Sequence, residues 1–286
     1  MKSIHRIAAM HLLTSDMKVI THLFRLPLIL CSCVLLFTWG CGGNEEPVEE
    51  EIEVTSAPRS FNLGTHTLRG FSSNNRGITV IYESGLGNDG NVWGPILSEV
   101  GKHNRGVAYH RAGYSTSQAG PNPRNLQRLA AELHEVKLAS AGAEKVVLVG
   151  HSWGGAIIRT YALTYPEHVH GLVFVDTSHE RELILTQAEE DAIVRNYAGN
   201  TGASRESEQL IEGVEYLGTL PRLPDMPVTV ITNGDSGSAW AGYHRSLGRN
   251  ISASNFKQVY VTSGHDIPRN EPDVIIEAIN DLLDRL

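Results

Sequence analysis

The sequence predicts an α/β fold: a mostly parallel, doubly wound sheet with helices on both faces and a short helical lid inserted into it. Three observations carry this expectation. Short apolar runs rich in β-branched residues, such as 78–82, 145–149 and 171–176, have the composition of strands buried on both faces. Segments of helical period lie between them, the clearest at 125–140, with Leu126, Leu129, Leu133 and Val136 on one side. The alternation then stops between Asp176 and Pro227, an interruption that would sit above the carboxyl ends of the strands.

Taken in order, residues 61–71 alternate around Gly64-Thr65 and predict an antiparallel hairpin. A strand at 78–82, a helix at 92–100 and a strand at 106–110 follow, then the helix at 125–140. The strand at 145–149 leads through Gly150-His151-Ser152-Trp153-Gly154 into a helix at 155–163. After the strand at 171–176, the insertion at about 177–226 shows helical stretches near 185–195 and 206–217. Strands at 228–232 and 258–262 and a last helix from Pro272 complete the domain, which is expected to run from 59 to 286.

Ahead of the domain the chain has another character. From Met17, which also serves as a candidate start, a short basic region (Lys18, Arg25) precedes an apolar stretch from Leu26 to Trp39 and then Gly40-Cys41. That stretch is short for a membrane span and fits the core of a signal peptide, so residues 1–40 are expected to be an export signal. Gly40-Cys41 resembles a bacterial lipobox, although Thr38 stands where that motif usually has leucine, and the resemblance implies a mature N-terminus lipid-modified at Cys41. A protein of the bacterial cell envelope, anchored by lipid at the membrane, is the expectation, with a secreted or periplasmic protein as the alternative. Residues 41–58, with Glu45, Glu46, Glu49, Glu50, Glu51 and Glu53, read as an extended, self-repelling tether. All three cysteines (Cys31, Cys33, Cys41) lie in this leader, so the domain must hold together by core packing without a disulfide. The formal charge of −8, with a positive balance only in the leader, argues against nucleic-acid binding, which needs a basic face.

Ser152 lies between a strand and a helix in Gly-x-Ser-x-Gly, the arrangement of a nucleophile elbow. The turn holds the serine in a strained conformation, and side chains at 150 or 154 would collide with the neighbouring helix and strand. Acyl transfer from a serine also needs a base, an acid to orient it and donors for the oxyanion. His265, one of 13 histidines, stands out because a strand ends before it, Gly264 precedes it and a helix follows. The oxyanion donors are expected to be the backbone N–H groups of Trp153 and of Leu86, the latter in Glu83-Ser84-Gly85-Leu86-Gly87. Two aspartates compete for the acid. Asp176 ends the strand after the elbow helix, and Asp235 follows the next strand in a segment equally suited to a tight turn. Asp176 is preferred, with Asp235 as the alternative. Glu83 reads as a strand-end residue. The constellation calls for no metal and no cofactor.

These segments resemble the α/β-hydrolase superfamily over roughly residues 60–286. The likeness is to a bacterial branch with Glu-Ser-Gly-Leu-Gly (83–87), aromatic-Asp-Arg-Ala-Gly-Tyr (109–114), Gly-His-Ser-x-Gly-Gly (150–155), Leu-Val-x-Val-Asp (172–176) and Ser-Gly-His (263–265). In that branch the segment after the penultimate strand often lacks a clear acid, which favours Asp176. One position departs from the pattern: His110 stands where the family has a structural aspartate. The resemblance implies a serine hydrolase acting on a small-molecule ester or related acyl substrate through a Ser-His-Asp triad and an acyl-enzyme. Lactonase, perhydrolase and C–C hydrolase chemistries, or a ligand-binding protein that has lost turnover, are the alternatives. Ser152 excludes an aspartyl nucleophile of the dehalogenase type.

Overall fold

A computed structural model describes residues 56–73, 76–181 and 183–286. The expected export signal, Cys41 and most of the tether lie outside the described residues. Strand β1 (Ala57–Asn62) begins just ahead of the expected domain start and pairs antiparallel with β2 (Thr67–Ser72). Gly64 supplies the positive φ, 81°, in the turn of this hairpin. Then come β3 (Thr79–Glu83), α1 (Gly94–Val100), β4 (Arg105–His110), α2 (Leu126–Ala141) and β5 (Val146–His151). Helix α3 (Trp153–Thr164) leads to β6 (Val169–Val175), and β7 (Val228–Asn233) follows the insertion. The eight strands are ordered β1-β2-β4-β3-β5-β6-β7-β8, the last being β8 (Phe256–Val261). β2 runs antiparallel to β4, and from β4 onward every neighbouring pair is parallel.

Period-two alternation explains the layering. Val146 and Leu148 of β5 face the layer of α2 and α3, where Leu129, Leu133, Ile157 and Tyr161 are buried. Val147 and Val149 face the opposite layer, formed by α1 and the C-terminal helix α9 (Pro272–Leu283). Helix α2 starts where Asn125 caps it, its side chain accepting from the Arg128 N–H at 3.1 Å.

Two expectations need correction. The insertion holds three helices rather than two: α4 (Gln187–Asn196), α5 (Thr201–Ser207) and α6 (Leu210–Thr219). Asn200 caps α5 by accepting from the Ala203 N–H, so Glu206 belongs to this separate helix and not to the one ending near Leu217. A helix was also not expected between β7 and β8, where α7 (Gly237–Ser246) forms. Gly237, Ser238 and Gly242 are weak helix formers, and tertiary contact of Trp240 and His244 stabilises it instead. A short helix, α8 (Ile267–Asn270), precedes α9.

Candidate active site

The parallel register of β5 and β6 pairs His151 with Val175, so the next residues of the two chains, Ser152 and Asp176, leave adjacent strand ends side by side. The Ser152 N–H donates to the Val175 carbonyl at 3.1 Å and the Asp176 N–H to that of Ile231 at 2.8 Å. Both residues then turn sharply with positive φ, 53° for Ser152 and 40° for Asp176, conformations that non-glycine residues rarely adopt. Close packing around the elbow makes the glycines obligatory. A Cβ on Gly154 would lie 2.3 Å from the Glu83 carbonyl oxygen, and one on Gly150 2.6 Å from that of Gly154.

The loop after β8 carries His265 over Ser152. Its Nε2 lies 2.9 Å from Ser152 Oγ, and its Nδ1 lies 2.7 Å from Asp176 Oδ2. Asp176 is ionised and acceptor-only, so Nδ1 carries the proton and Nε2 accepts from the serine hydroxyl. The other carboxylate oxygen of Asp176 accepts from the Asn233 N–H at 3.0 Å and from Trp240 Nε1–H at 2.7 Å. Burial alone would raise the pKa of Asp176. The His265 hydrogen bond and charge, with help from His244 and the Asn233 N–H, outweigh burial and bring it down to about 2.

Asp235 takes no part. It is exposed on a tight turn where its own N–H donates to Asn233 Oδ1 at 3.3 Å. The last residue of β7, Asn233, instead provides a backbone donor to Asp176.

Histidines brace this group from two sides. His151 is buried, its Nε2–H donating to the His265 carbonyl at 2.8 Å, with the two rings 4.9 Å apart. Burial, followed by the nearby His265, pulls its pKa down to about 4, so it is a neutral support for the His265 loop. His244 donates from Nε2 to the Thr177 carbonyl at 2.9 Å and faces Thr232 Oγ1 through Nδ1. The Trp240 ring packs against it, tilted by 49° with centroids 4.3 Å apart, and donates its indole N–H to Asp176.

On the other side of Ser152 runs the loop after β3. A Cβ on Gly85 would lie 3.1 Å from Ser152 Cβ, so this backbone passes directly against the serine, followed by buried Leu86. Trp153, buried at the first position of α3, packs its ring under Gly213 of α6. Leu86 thus follows the residue that lies against Ser152, and Trp153 follows Ser152 itself. Glu83, read from sequence as a strand-end residue, is also fully buried. It binds the Tyr109 hydroxyl and, at 2.8 Å, Arg111. His110 is an acceptor here: its Nδ1 takes the Gly90 N–H at 3.1 Å, and burial lowers its pKa against the opposing charge of Asp89. Sequence reasoning missed Asn233, Trp240, His244 and Arg111 as parts of this site. Of these, only Arg111 lay in a motif.

A family model described as alpha/beta hydrolase fold matches residues 78–210. That match, just under half of the chain, and the order of the strands show the α/β-hydrolase fold. Among curated relatives, a putative carbamate hydrolase, RutD, of Yersinia enterocolitica (serotype O:8 / biotype 1B) is 39% identical over 101 residues. That match covers 35% of this chain and 36% of the relative, so the chain spans only about a third of its length. The uncharacterized protein YqjL of Bacillus subtilis (strain 168) is 23% identical over 231 residues, covering 72% of this chain and 83% of YqjL. Among solved structures, a thermophilic esterase from Thermogutta terrifontis superposes with a TM-score of 0.61 at 18% identity. It covers 81% of this chain and 98% of the esterase, a likeness of fold.

Proposed function

We propose that this protein is a serine hydrolase that cleaves a carboxylic ester or a closely related acyl substrate through an acyl-enzyme. One observation carries the reading: Ser152 Oγ, the His265 imidazole and the Asp176 carboxylate form a continuous hydrogen-bonded chain, with separations of 2.9 and 2.7 Å. Such a chain is what a serine needs to become a nucleophile at neutral pH.

In the first half-reaction the Ser152 hydroxyl passes its proton to His265 Nε2 while Oγ bonds to the substrate carbonyl carbon. The carbonyl π electrons move to oxygen, and the N–H groups of Leu86 and Trp153 stabilise that oxyanion. Asp176 stays ionised and stabilises the imidazolium through Nδ1. Collapse of the tetrahedral intermediate expels the alkoxide, which takes the proton from Nε2. Water then repeats the sequence on the acyl-enzyme, regenerating Ser152 and releasing the acid. A carbamate, the group in the name of the Yersinia relative, presents the same carbonyl to the same groups.

Fluorophosphonate labelling of the purified protein tests the proposal, with p-nitrophenyl esters of increasing acyl length to rank substrates. Ser152→Ala is expected to abolish labelling and to lower kcat by about 10⁶. Labelling that survives this substitution refutes the assignment of the nucleophile. Ligand-induced thermal stabilisation with neither labelling nor turnover would instead identify a binding protein on a hydrolase fold.

We also propose that the domain is exported and held at the membrane of a bacterial envelope by lipid on Cys41. The apolar stretch ending at Gly40-Cys41 and the acidic run after it support this reading.

A further inference from the structure

Arg111, just past β4, is fully buried and has every N–H engaged. Its Nε and Nη2 grip both oxygens of Glu206 at 2.8 Å, and its Nη1 reaches Glu83 Oε1 at 2.8 Å. The remaining donors go to two main-chain carbonyls, Ser84 O at 2.5 Å and Gly85 O at 3.1 Å. These account for the five N–H groups a guanidinium owns. Glu206 is equally buried and belongs to α5 of the insertion, 95 positions along the chain from Arg111.

The consequence follows from the planarity of the peptide bond. In a trans peptide the Gly85 C=O and the Leu86 N–H point in opposite directions. Arg111 and the Asn88 N–H hold the Gly85 carbonyl from one side, so the Leu86 N–H is directed away from the guanidinium. Ser152 lies against the Gly85 backbone. A second link reinforces the first: the Tyr114 hydroxyl donates to Glu206 Oε2 at 2.8 Å and accepts from the Gly87 N–H at 3.4 Å. Helix α5 is docked on this turn without a gap. The Gly202 N–H donates to the Gly113 carbonyl at 3.1 Å, and a Cβ on Gly202 would enter the Tyr114 ring.

We infer that Arg111 and Glu206 are positioning residues that join the insertion to the oxyanion loop, so that docking of α5 and the direction of the Leu86 N–H are set together. The inference rests on the serine-hydrolase reading only where it concerns turnover. Without Glu206, Arg111 keeps only Glu83 as a counter-ion and leaves two of its N–H groups without their carboxylate in a buried site, so its hold on the Ser84 and Gly85 carbonyls should loosen as well. This differs from a salt bridge that only adds stability. It predicts a loss confined to the transition state.

Glu206→Gln tests it with little change of shape: whichever way the amide is turned, its NH₂ meets an Arg111 N–H where a carboxylate oxygen had accepted. The readouts are kcat and KM on a short p-nitrophenyl ester, affinity for a trifluoromethyl ketone whose adduct carries an oxyanion, melting temperature, and amide hydrogen exchange at residues 84–88. We expect kcat to fall by roughly 10²-fold with KM changed less than about threefold, and ketone affinity to fall in parallel. Exchange at 84–88 should accelerate together with exchange in α5. A folded Glu206→Gln protein with unchanged kcat and unchanged exchange at 84–88 overturns the inference, as does a loss seen in KM alone. If Glu206→Gln does not fold, Tyr114→Phe removes only the hydroxyl link, and the same parallel loss, smaller in size, is expected. Its absence in that variant overturns the inference. If the wild-type protein takes no fluorophosphonate, the hydrolase reading fails, and the exchange comparison still decides whether the insertion and the loop are coupled.

Discussion

Asp176→Asn isolates the orienting role of the acid, because the surroundings of Asp176 dictate how an amide must sit there. Two donors, the Asn233 N–H at 3.0 Å and Trp240 Nε1–H at 2.7 Å, point at Oδ1. An asparagine can meet both only with its carbonyl oxygen, which leaves its NH₂ group facing His265 Nδ1 across 2.7 Å. Nδ1 must then become an acceptor, the imidazole proton moves to Nε2, and Nε2 presents a donor to Ser152 Oγ where it should accept. The fold is retained and the base is held in the wrong tautomer. The expected loss in kcat is about 10⁴, equivalent to about 5 kcal/mol of transition-state stabilisation. Asp235→Asn, on an exposed turn, should change kcat by less than about threefold. Steady-state kinetics of both variants on one ester, with melting temperatures as a control for folding, make the comparison. A folded Asp176→Asn enzyme with near wild-type kcat refutes the reasoning, and a larger loss in Asp235→Asn would show that the acid leaves the neighbouring strand instead.

The depressed pKa of Asp176 also predicts acid behaviour. A carboxyl that titrates at about 2 in the fold against 3.8 unfolded contributes stability that is present above 3.8 and lost as pH falls through 2. Urea unfolding between pH 5 and pH 2 should therefore fall more steeply for the wild type than for Asp176→Asn, by about 2 kcal/mol, and equal slopes would refute it. Gly154→Ala would drive a Cβ to within 2.3 Å of the Glu83 carbonyl and 2.6 Å of the Ser84 carbonyl, both main-chain atoms. It should cost about 2 kcal/mol and lower Tm by roughly 4–8 °C in a thermal melt, with activity falling as the oxyanion loop shifts. A Cys41→Ser variant should leave the hydrolase intact but appear in the soluble fraction or as unprocessed precursor. An unmodified N-terminus elsewhere in a freely soluble wild-type protein, seen by intact-mass analysis, would remove the anchor and leave the catalytic proposal standing.

The linear sequence determined what depends on neighbours along the chain. Buried strands need continuous apolar runs, so β3 to β7 were legible within a residue or two of their ends, and Asn125 marked the start of α2. The elbow at Ser152 was legible because its glycines and flanking elements are contiguous, and His265 because a strand end and Gly264 announce it. The insertion was only half legible, since its short helices depend on docking: α5 has few apolar residues and is fixed by Glu206 binding Arg111. Helix α7 escaped notice for the same reason, Gly237, Ser238 and Gly242 weakening its local signal. The acid could not be decided by position, because Asp176 and Asp235 each follow a strand. Lateral order decided it. Putting β6 next to β5 sets Asp176 beside Ser152, and the donors that hold its second oxygen come from 57 and 64 positions downstream. Hydrogen bonds across such separations exist only once the sheet has assembled, so which aspartate meets His265 is a property of the tertiary structure.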